Sequence, residues 1–263
     1  MNLQQLEILK LGVESWNNWR RANKDIIVDL QECNFKEINF NKSQESIDLS
    51  KCILIKANFA DCKGININFS ESDLQFTNFK NSSFEYCDFT KTDLTEANFQ
   101  GSYCTGSNFS QSNLFNANFS GSSLFKVNLY KTRCEQTNFS KANLSHAELF
   151  QTKFLRTDFS GSDLSGTICE HISFNNCNLR NALYHSVPCT KTPIQIYIDN
   201  ILVIILDNHM KIENKIFSFK NWENITVDDL EDYEVLRDFW FRFRSLLLAI
   251  CKKSGRYVDA ENS

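Results

Sequence analysis

The sequence predicts a mainly β chain, in which a long solenoid is flanked by an N-terminal helix and a small C-terminal region of strands and a helix. An apolar or small residue recurs at every fifth position from Leu49 to Leu179, a helical pattern precedes this segment, and the only prolines, Pro188 and Pro193, follow it. Repetition at a fixed short period is typical of chains whose units stack on one another.

The recurring residues, which we call the centres, define the repeat. The 27 centres comprise twelve Phe and eleven Leu, and the exceptions are Gly64, Cys104, Cys134 and Cys169. The residue two positions before a centre is small or aliphatic, and the residue directly before it is Asn or Asp in 17 of the 27 units. Most charged side chains follow the centre. We therefore expect the centres and the small residues to point inward.

A period of five fits neither a regular helix nor a flat strand. Successive centres on an α-helix would be about 500° apart, and on a flat strand they would alternate between faces. A chain that turns a corner in every repeat keeps all centres inside. Phe is the centre at 59, 79, 99 and 119, whereas Leu is the centre at 74, 94 and 114. Large and smaller side chains from adjoining walls can then interleave in a narrow core.

Three earlier centres belong to the same pattern in a shifted register. They are Leu30, Phe35 and Phe40. Nine residues separate Phe40 from Leu49, instead of five. We therefore expect residues 41–45 to form a loop that bulges from one corner of the solenoid.

Segments such as Ala57-Asn58-Phe59, Thr92–Phe99 and Ala142–Ser145 resemble the pentapeptide repeat family. The resemblance implies that family's fold, a right-handed quadrilateral β-helix with four repeats in each coil. Residues 20 apart are then stacked neighbours. The expected organisation is a capping helix over 1–24, a solenoid over 25–182 and a strand-plus-helix cap over 183–263.

An amphipathic pattern precedes the repeats. Its apolar residues recur at intervals of three and four, at Leu6, Leu9, Val13 and Trp16. They predict a single helix from Leu3 to Ala22, and the segment from Leu6 to Arg20 is similar to the leader helix of many bacterial members of the family. We expect this helix to cover the open end of the first coil. The alternative is that Trp16 and Trp19 form a partner site.

Beyond Pro193 the pattern predicts three short strands, at Ile194–Ile198, Ile201–Leu206 and Lys215–Phe219. A helix is expected from near Thr226, where Asp229 completes an approximate capping box, to about Lys253. The region resembles tails of some bacterial and phage members of the family, a resemblance that implies no activity. We expect it to close the last coil.

Composition favours a soluble cytoplasmic protein, and the resemblance to bacterial members of the family implies a bacterial one. The 28 basic and 32 acidic residues nearly balance, so direct nucleic-acid binding is not expected. The longest apolar stretch, Ile194 to Leu206, contains Asp199 and Asn200 and is too short to span a membrane. No signal-peptide pattern is present. Eight of the ten cysteines occupy inward positions, as free thiols typical of a reducing compartment: Cys33, Cys52, Cys62, Cys87, Cys104, Cys134, Cys169 and Cys177.

No sequence motif points to an enzyme, a cofactor or a metal site. Cys169 and His171 are interpreted as a buried thiol beside a surface imidazole. His185 and Cys189 are too few for a tetrahedral metal site. The acidic segment 228–234 is interpreted as a solvated helix start rather than a cation site.

The residues that directly follow a centre are mostly polar, but between 115 and 155 several are apolar. We call these five residues the aromatic surface: Phe115, Phe125, Tyr130, Phe150 and Leu155. Four repeats per coil would make Tyr130 and Phe150 neighbours and would place Phe115 and Leu155 two coils apart on the next corner. Such an exposed cluster is typical of an interface. The alternative is that the C-terminal region folds over it.

Three functions are consistent with the sequence. The first is a non-enzymatic protein–protein interaction or scaffold solenoid with an unidentified protein partner, a homodimer being one alternative. The second, implied by the quinolone-resistance members of the family, is a DNA mimic that binds a type II topoisomerase such as gyrase. Such mimicry requires a markedly negative rod, whereas residues 46–182 carry 12 basic and 13 acidic residues. The third is an effector activity in the C-terminal region.

Overall fold

The chain divides into two compact units, Met1–Ser186 and Val187–Ser263. The computed structural model describes residues 2–36, 38, 40, 45–167, 172–184, 187–189, 194–199, 201–213 and 215–255. The first unit contains the repeats, and the second contains the C-terminal strands and helices.

The repeats form a β-helix solenoid in which, from Asp48 onward, the residue before a centre pairs in parallel with its counterpart 20 positions later. Asn98, for example, forms bridges with both Asn78 and Asn118. The Phe99 N–H donates to the Asn118 carbonyl at 2.7 Å, and the Asn118 N–H donates to the Ala97 carbonyl at 2.9 Å. Since a repeat has five residues, four repeats complete one coil. The right-handedness implied by the family resemblance stays a prediction. The strands in this unit are β1 (Val28–Asp29), β2 (Cys52–Ile53), β3 (Lys63–Ile65), β4 (Ser83–Glu85), β5 (Lys153–Leu155), β6 (Ser173–Asn175) and β7 (Ala182–Tyr184).

The prediction that the centres point inward is confirmed, because all of them from 49 to 164 are buried. Phe centres form ring stacks along the solenoid, with 4.4 Å between the centroids of Phe79 and Phe99. A second stack includes Phe89 and Phe109, whose centroids are 4.7 Å apart. The two stacks meet edge to face, and Phe99 and Phe109 are 5.9 Å apart at 82°. Both arrangements are favourable for aromatic rings.

A recurring turn explains the Asn and Asp preference before each centre. The carboxamide oxygen of Asn118 accepts the backbone N–H of Ser120 at 3.0 Å, and this bond holds the chain at the corner. The next residue then adopts a left-handed conformation, as do Lys126 at φ 56° and His146 at φ 59°. Gly106 and Gly121 occupy the same position of the repeat with φ 68° and 66°. The corner is therefore built from a side-chain hydrogen bond and one left-handed residue.

The N-terminal segment forms two helices, α1 (Leu3–Lys10) and α2 (Val13–Ala22), so the prediction of a single helix is wrong. Gly12 separates them at φ 111°, a conformation that ends a helix. Trp16 of α2 is fully buried and donates its indole N–H to the Asp48 carbonyl at 2.6 Å. This tryptophan therefore packs on the first coil and is not free for a partner.

The early centres Leu30, Phe35 and Phe40 are buried, as expected. The pairing there spans 24 residues, from Val28 to Cys52, because the connection before Leu49 contains extra residues. The predicted loop at 41–45 lies outside the described residues except for Glu45.

The second unit begins with β8 (Val187–Cys189) and continues with an antiparallel meander, in which neighbours in sequence are neighbours in the sheet. Trp222 and Trp240 contact each other in its core with centroids 4.8 Å apart. The Trp222 indole N–H donates to the Met210 carbonyl at 2.6 Å. The remaining elements are β9 (Ile194–Ile198), β10 (Ile201–Ile205), β11 (His209–Ile212), β12 (Lys215–Ser218), α3 (Phe219–Asn224) and α4 (Glu234–Lys253).

Three sequence predictions for this unit are wrong. The strand expected over Ile201–Leu206 ends at Ile205, because the Leu206 N–H donates to the His209 carbonyl in the turn that leads to β11. The strand expected to reach Phe219 ends at Ser218, because the Ser218 hydroxyl accepts the Asn221 N–H and starts α3. The long helix begins at Glu234 rather than near Thr226, where the Asp229 carboxylate accepts the Thr226 N–H at 2.8 Å but opens only a single 3₁₀ turn. The strand β11 was not predicted. That this unit closes the last coil stays a prediction.

Candidate interaction surface

The five residues of the aromatic surface occupy three successive corners of the solenoid. Tyr130 and Phe150 share one corner, Phe115 and Leu155 share the next, and Phe125 occupies the corner before Tyr130. These positions follow from the 20-residue pairing of the coils. The structure therefore brings four of the five residues to the two edges of one face.

Tyr130 and Phe150 stack, with ring centroids 5.8 Å apart and an angle of 8° between the planes. The Lys131 ammonium lies 4.8 Å from the centroid of Tyr130. Both rings are half-buried, because each covers part of the other. This corner presents a double aromatic ring beside a cation.

The neighbouring corner combines apolar and charged groups. The Arg133 guanidinium lies 5.3 Å from the centroid of Phe115, and its Nε donates to Glu135 Oε2 at 2.8 Å. Glu135 lies between Phe115 and Leu155 in the same column of residues, as the pairing of successive coils shows. Leu155 is 42% exposed, the most exposed of the five residues. Arg133 thus lies on the flat face between the two corners, and its side chain reaches Phe115 at the edge of that face.

Phe125 has different neighbours. Its ring meets His146 edge to face, with centroids 5.6 Å apart, and Lys126 lies 5.2 Å from its centroid. Phe125 therefore belongs to a separate corner with its own contacts, so its predicted place beside the other four residues is wrong.

Between residues 49 and 164, four more apolar side chains are exposed and were not predicted as part of a surface. Tyr86 and Tyr103 are 60% and 57% exposed, Ile65 is 50% exposed, and Phe76 is 44% exposed. Ile65 follows a centre directly and lies before the range that was searched. The other three precede a centre or follow it by two residues, in columns that were not searched for apolar residues. A search of all three outward columns would have found them.

Burial makes three of the described cysteines poorly reactive. Burial raises the pKa of Cys52 and Cys104 to about 12 and that of Cys62 to about 11. Such thiols stay protonated at neutral pH and are poor nucleophiles. The side chains of Cys169, His171, His185 and Cys189 lie outside the described part of the chain.

The acidic segment in the second unit is held by local hydrogen bonds. The Asp229 carboxylate accepts the N–H and the hydroxyl of Thr226, each at 2.8 Å, and these bonds lower the pKa of Asp229. Within the described ranges, no group of three or more His, Cys, Asp or Glu side chains could hold a metal ion. No helix among the described residues is long and apolar enough to cross a membrane.

A family model described as Pentapeptide repeats matches the chain in 8 copies, at residues 65–101, 92–129, 117–154 and 142–181. No curated protein matches the chain.

Several solved structures are similar to the chain at low identity. HetL, a pentapeptide repeat protein involved in heterocyst differentiation regulation from the cyanobacterium Nostoc sp. Strain PCC 7120, is 17% identical with a TM-score of 0.33, over 68% of this chain and 99% of HetL. QnrB1, a plasmid-mediated fluoroquinolone resistance protein, is 20% identical with a TM-score of 0.37, over 59% of this chain and 79% of QnrB1. Rfr23 from the cyanobacterium Cyanothece 51142 is 19% identical with a TM-score of 0.14, over 57% and 80% of the two chains.

Proposed function

Because this chain belongs to the pentapeptide repeat family through residues 65–181, we propose that it is a non-enzymatic interaction protein whose protein partner binds across the aromatic surface. The stacked rings of Tyr130 and Phe150 are the observation that carries this proposal. The same positions of earlier coils hold Ser70, Thr90 and Ser110, so the rings are a local departure from a polar column. The solenoid does not need them for its fold, and exposed aromatic groups are enriched at interfaces.

The flanking charges support a protein partner of definite orientation. Arg133 and Lys153 lie on the face between the two apolar corners and are exposed. In such an arrangement the rings supply apolar contact area for a partner, and the charges fix the orientation in which the partner binds. We propose a reducing compartment such as the cytoplasm for this protein, because the described cysteines are free thiols.

The distribution of charge does not favour a DNA mimic. Mimicry of a duplex requires negative charge along the whole rod, but residues 46–182 carry 12 basic and 13 acidic residues. Among the described residues of the second unit, nothing supports an effector activity either. One cavity of about 340 Å³ in this unit is lined by Phe217, Asn221, Asn224, Ile225 and Asp229, and Asp229 is the single carboxylate in that lining.

The test is a pull-down from the native cell with two matched variants of the full chain. Tyr130→Ser with Phe150→Ser should lose the bound partner and keep the fold, because serine is native to this column. The control, Tyr86→Ser with Tyr103→Ser, removes two exposed rings elsewhere and should keep the partner. Capture of the same proteins by both variants would refute the proposal. A large loss of stability in the first variant would instead assign the rings to intramolecular packing.

A further inference from the structure

The balanced charge of the solenoid conceals a segregation along its length. Residues 61–96 contain three basic and seven acidic residues, whereas residues 126–156 contain six basic and two acidic residues. The 29 residues between them, 97–125, contain no charged residue. The stretch from 61 to 156 therefore carries net negative charge at its start, net positive charge at its end and no charged residue in its middle.

One outward column of the solenoid shows this reversal most directly. Successive parallel bridges link Asp73, Asp93, Asn113, Arg133 and Lys153, so these five residues follow one another along one face. We call them the charged column. Its sign changes at Asn113. The cations at one end and the carboxylates at the other are equally spaced from this central amide.

Consider a two-fold axis that lies across this face at Asn113, perpendicular to the direction of stacking. Rotation about this axis places the same face of a second copy, in the opposite direction, against the first. Arg133 then faces Asp93 of the second copy, and Lys153 faces Asp73. Each pair occurs twice, because the interface of a two-fold dimer is made of the same surface from both copies. Asn113 faces its own counterpart at the axis.

The two edges of the face are compatible with the same rotation. Tyr130 and Phe150 face the small residues Thr90 and Ser70, which leave room for the rings. On the other edge Phe115 meets its own counterpart, and Arg156 faces Phe76, which is 44% exposed. Lys91 and Lys131 form the one like-charged pair. Both lysines are exposed corner residues whose long side chains can turn toward solvent.

We propose that a second copy of this chain binds the aromatic surface, in an antiparallel dimer held by the charged column. This proposal rests on the proposed function and names its partner. The charged column spans about 19 Å, from the spacing of about 4.8 Å between stacked strands. The face is thus smaller than a standard interface of about 800 Å² per partner, so the dimer is weak and sensitive to salt.

The first measurement is the sedimentation velocity of the full chain over a range of concentrations. At about 50 mM salt a dimer should form, and at about 500 mM salt it should dissociate, because salt screens the ion pairs. A chain that stays monomeric at high concentration in low salt overturns the proposal. If the Tyr130 and Phe150 variant still loses a bound protein in the pull-down, the interaction function stands and only the second copy is wrong.

A charge-swap experiment tests the pairing itself. The variant R133E/K153E and the variant D73K/D93K should each be monomeric, whereas their equimolar mixture should form a heterodimer. Asp, Arg and Lys all occur at this position of the repeat in the native chain. The backbone is therefore compatible with the exchanged residues. The control K80E/K141E changes the net charge by as much as R133E/K153E, on the corner after the centres Phe79 and Phe139, and should leave the dimer intact.

Two outcomes overturn the pairing: a mixture that stays monomeric, or a control that also dissociates. If D73K/D93K does not fold, D73N/D93N replaces it, since the Asn113 amide in the same column accepts the Phe115 N–H at 3.2 Å and maintains the corner. That variant should weaken the dimer and reduce its dependence on salt. An unchanged dimer would refute the pairing.

Discussion

The rings of Tyr130 and Phe150 stack at 5.8 Å although the two residues are 20 apart in sequence. Twenty residues make one coil of the solenoid. Ring stacks in the core, such as that of Phe79 on Phe99, also join residues that are 20 apart. A substitution therefore acts on its neighbours one coil before and one coil after.

The ring stack in the core predicts a large loss of stability for Phe99→Ala. Phe99 packs between Phe79 at 4.4 Å and Phe119 at 4.5 Å. Loss of a buried Phe should lower the free energy of unfolding by about 3–5 kcal/mol. Phe76→Ala, at a side chain that is 44% exposed, should change it by less than about 0.5 kcal/mol. Urea unfolding measures both, and equal losses would contradict the stacking account.

The corner geometry predicts different effects for two glycines. A Cβ on Gly106 would lie 2.6 Å from the Tyr86 ring, whereas a Cβ on Gly121 would have no neighbour within 4 Å. Both residues are left-handed, so alanine costs about 1 kcal/mol of backbone strain at either site. Gly106→Ala should destabilise the protein more than Gly121→Ala in thermal unfolding. Addition of Tyr86→Ala should remove the difference, and its persistence would exclude the ring as the cause.

Buried thiols predict a decline of stability at alkaline pH. Burial raises the pKa of Cys52 from 9.0 to about 12 in the folded chain. Between these values the unfolded chain releases the thiol proton and the folded chain keeps it, so the free energy of unfolding falls as pH rises. One thiol lowers the free energy of unfolding by at most about 1.4 kcal/mol per pH unit in this range, and it has no effect on the slope below pH about 9.

The comparison variant is Cys52→Ala, since Ala57 and Ala97 occupy the same position of the repeat. Unfolding in urea at several pH values above 9 should show a shallower decline for this variant than for the parent chain. Identical slopes would mean that Cys52 ionises in the folded state.

The packing of α2 predicts unequal roles for its two tryptophans, Trp16 and Trp19. Trp16 is fully buried and donates to the Asp48 carbonyl, whereas Trp19 is only partly buried. Trp16→Ala should lower the midpoint of thermal unfolding by several degrees and expose the first coil. Trp19→Ala should have a smaller effect. Binding of a hydrophobic dye by the first variant alone would report the opened end, and equal midpoints would argue against this packing.

Much of the solenoid was predictable because its signal is local. The burial of Phe99 and Leu114 follows from the period of five, and the free thiols follow from the inward positions of Cys52 and Cys104. The second unit was less predictable. Thr226 and Asp229 form the predicted hydrogen bonds, but such bonds suit a single turn as well as a helix start.

The residues of the candidate surface, and their placement on two neighbouring corners, were predictable once the family resemblance implied four repeats per coil, but their side-chain contacts were not. Phe115 and Tyr130 could be recognised as apolar residues in a polar column. That the Arg133 guanidinium covers Phe115, and that Phe125 pairs with His146 instead, depends on contacts between different coils. Those contacts connect residues that no single repeat contains.

The sequence by itself determined which side chains face inward, because burial repeats with the five-residue period and needs no knowledge of distant contacts. The tertiary structure decided how many repeats close a coil, since the corner conformations set this number and pair each residue with the one 20 positions later. Only this closure places Asp93, Asn113 and Arg133 in one column. The opposite charges at its two ends, and the stacking of Tyr130 on Phe150, are therefore properties of the coiled chain rather than of its repeat.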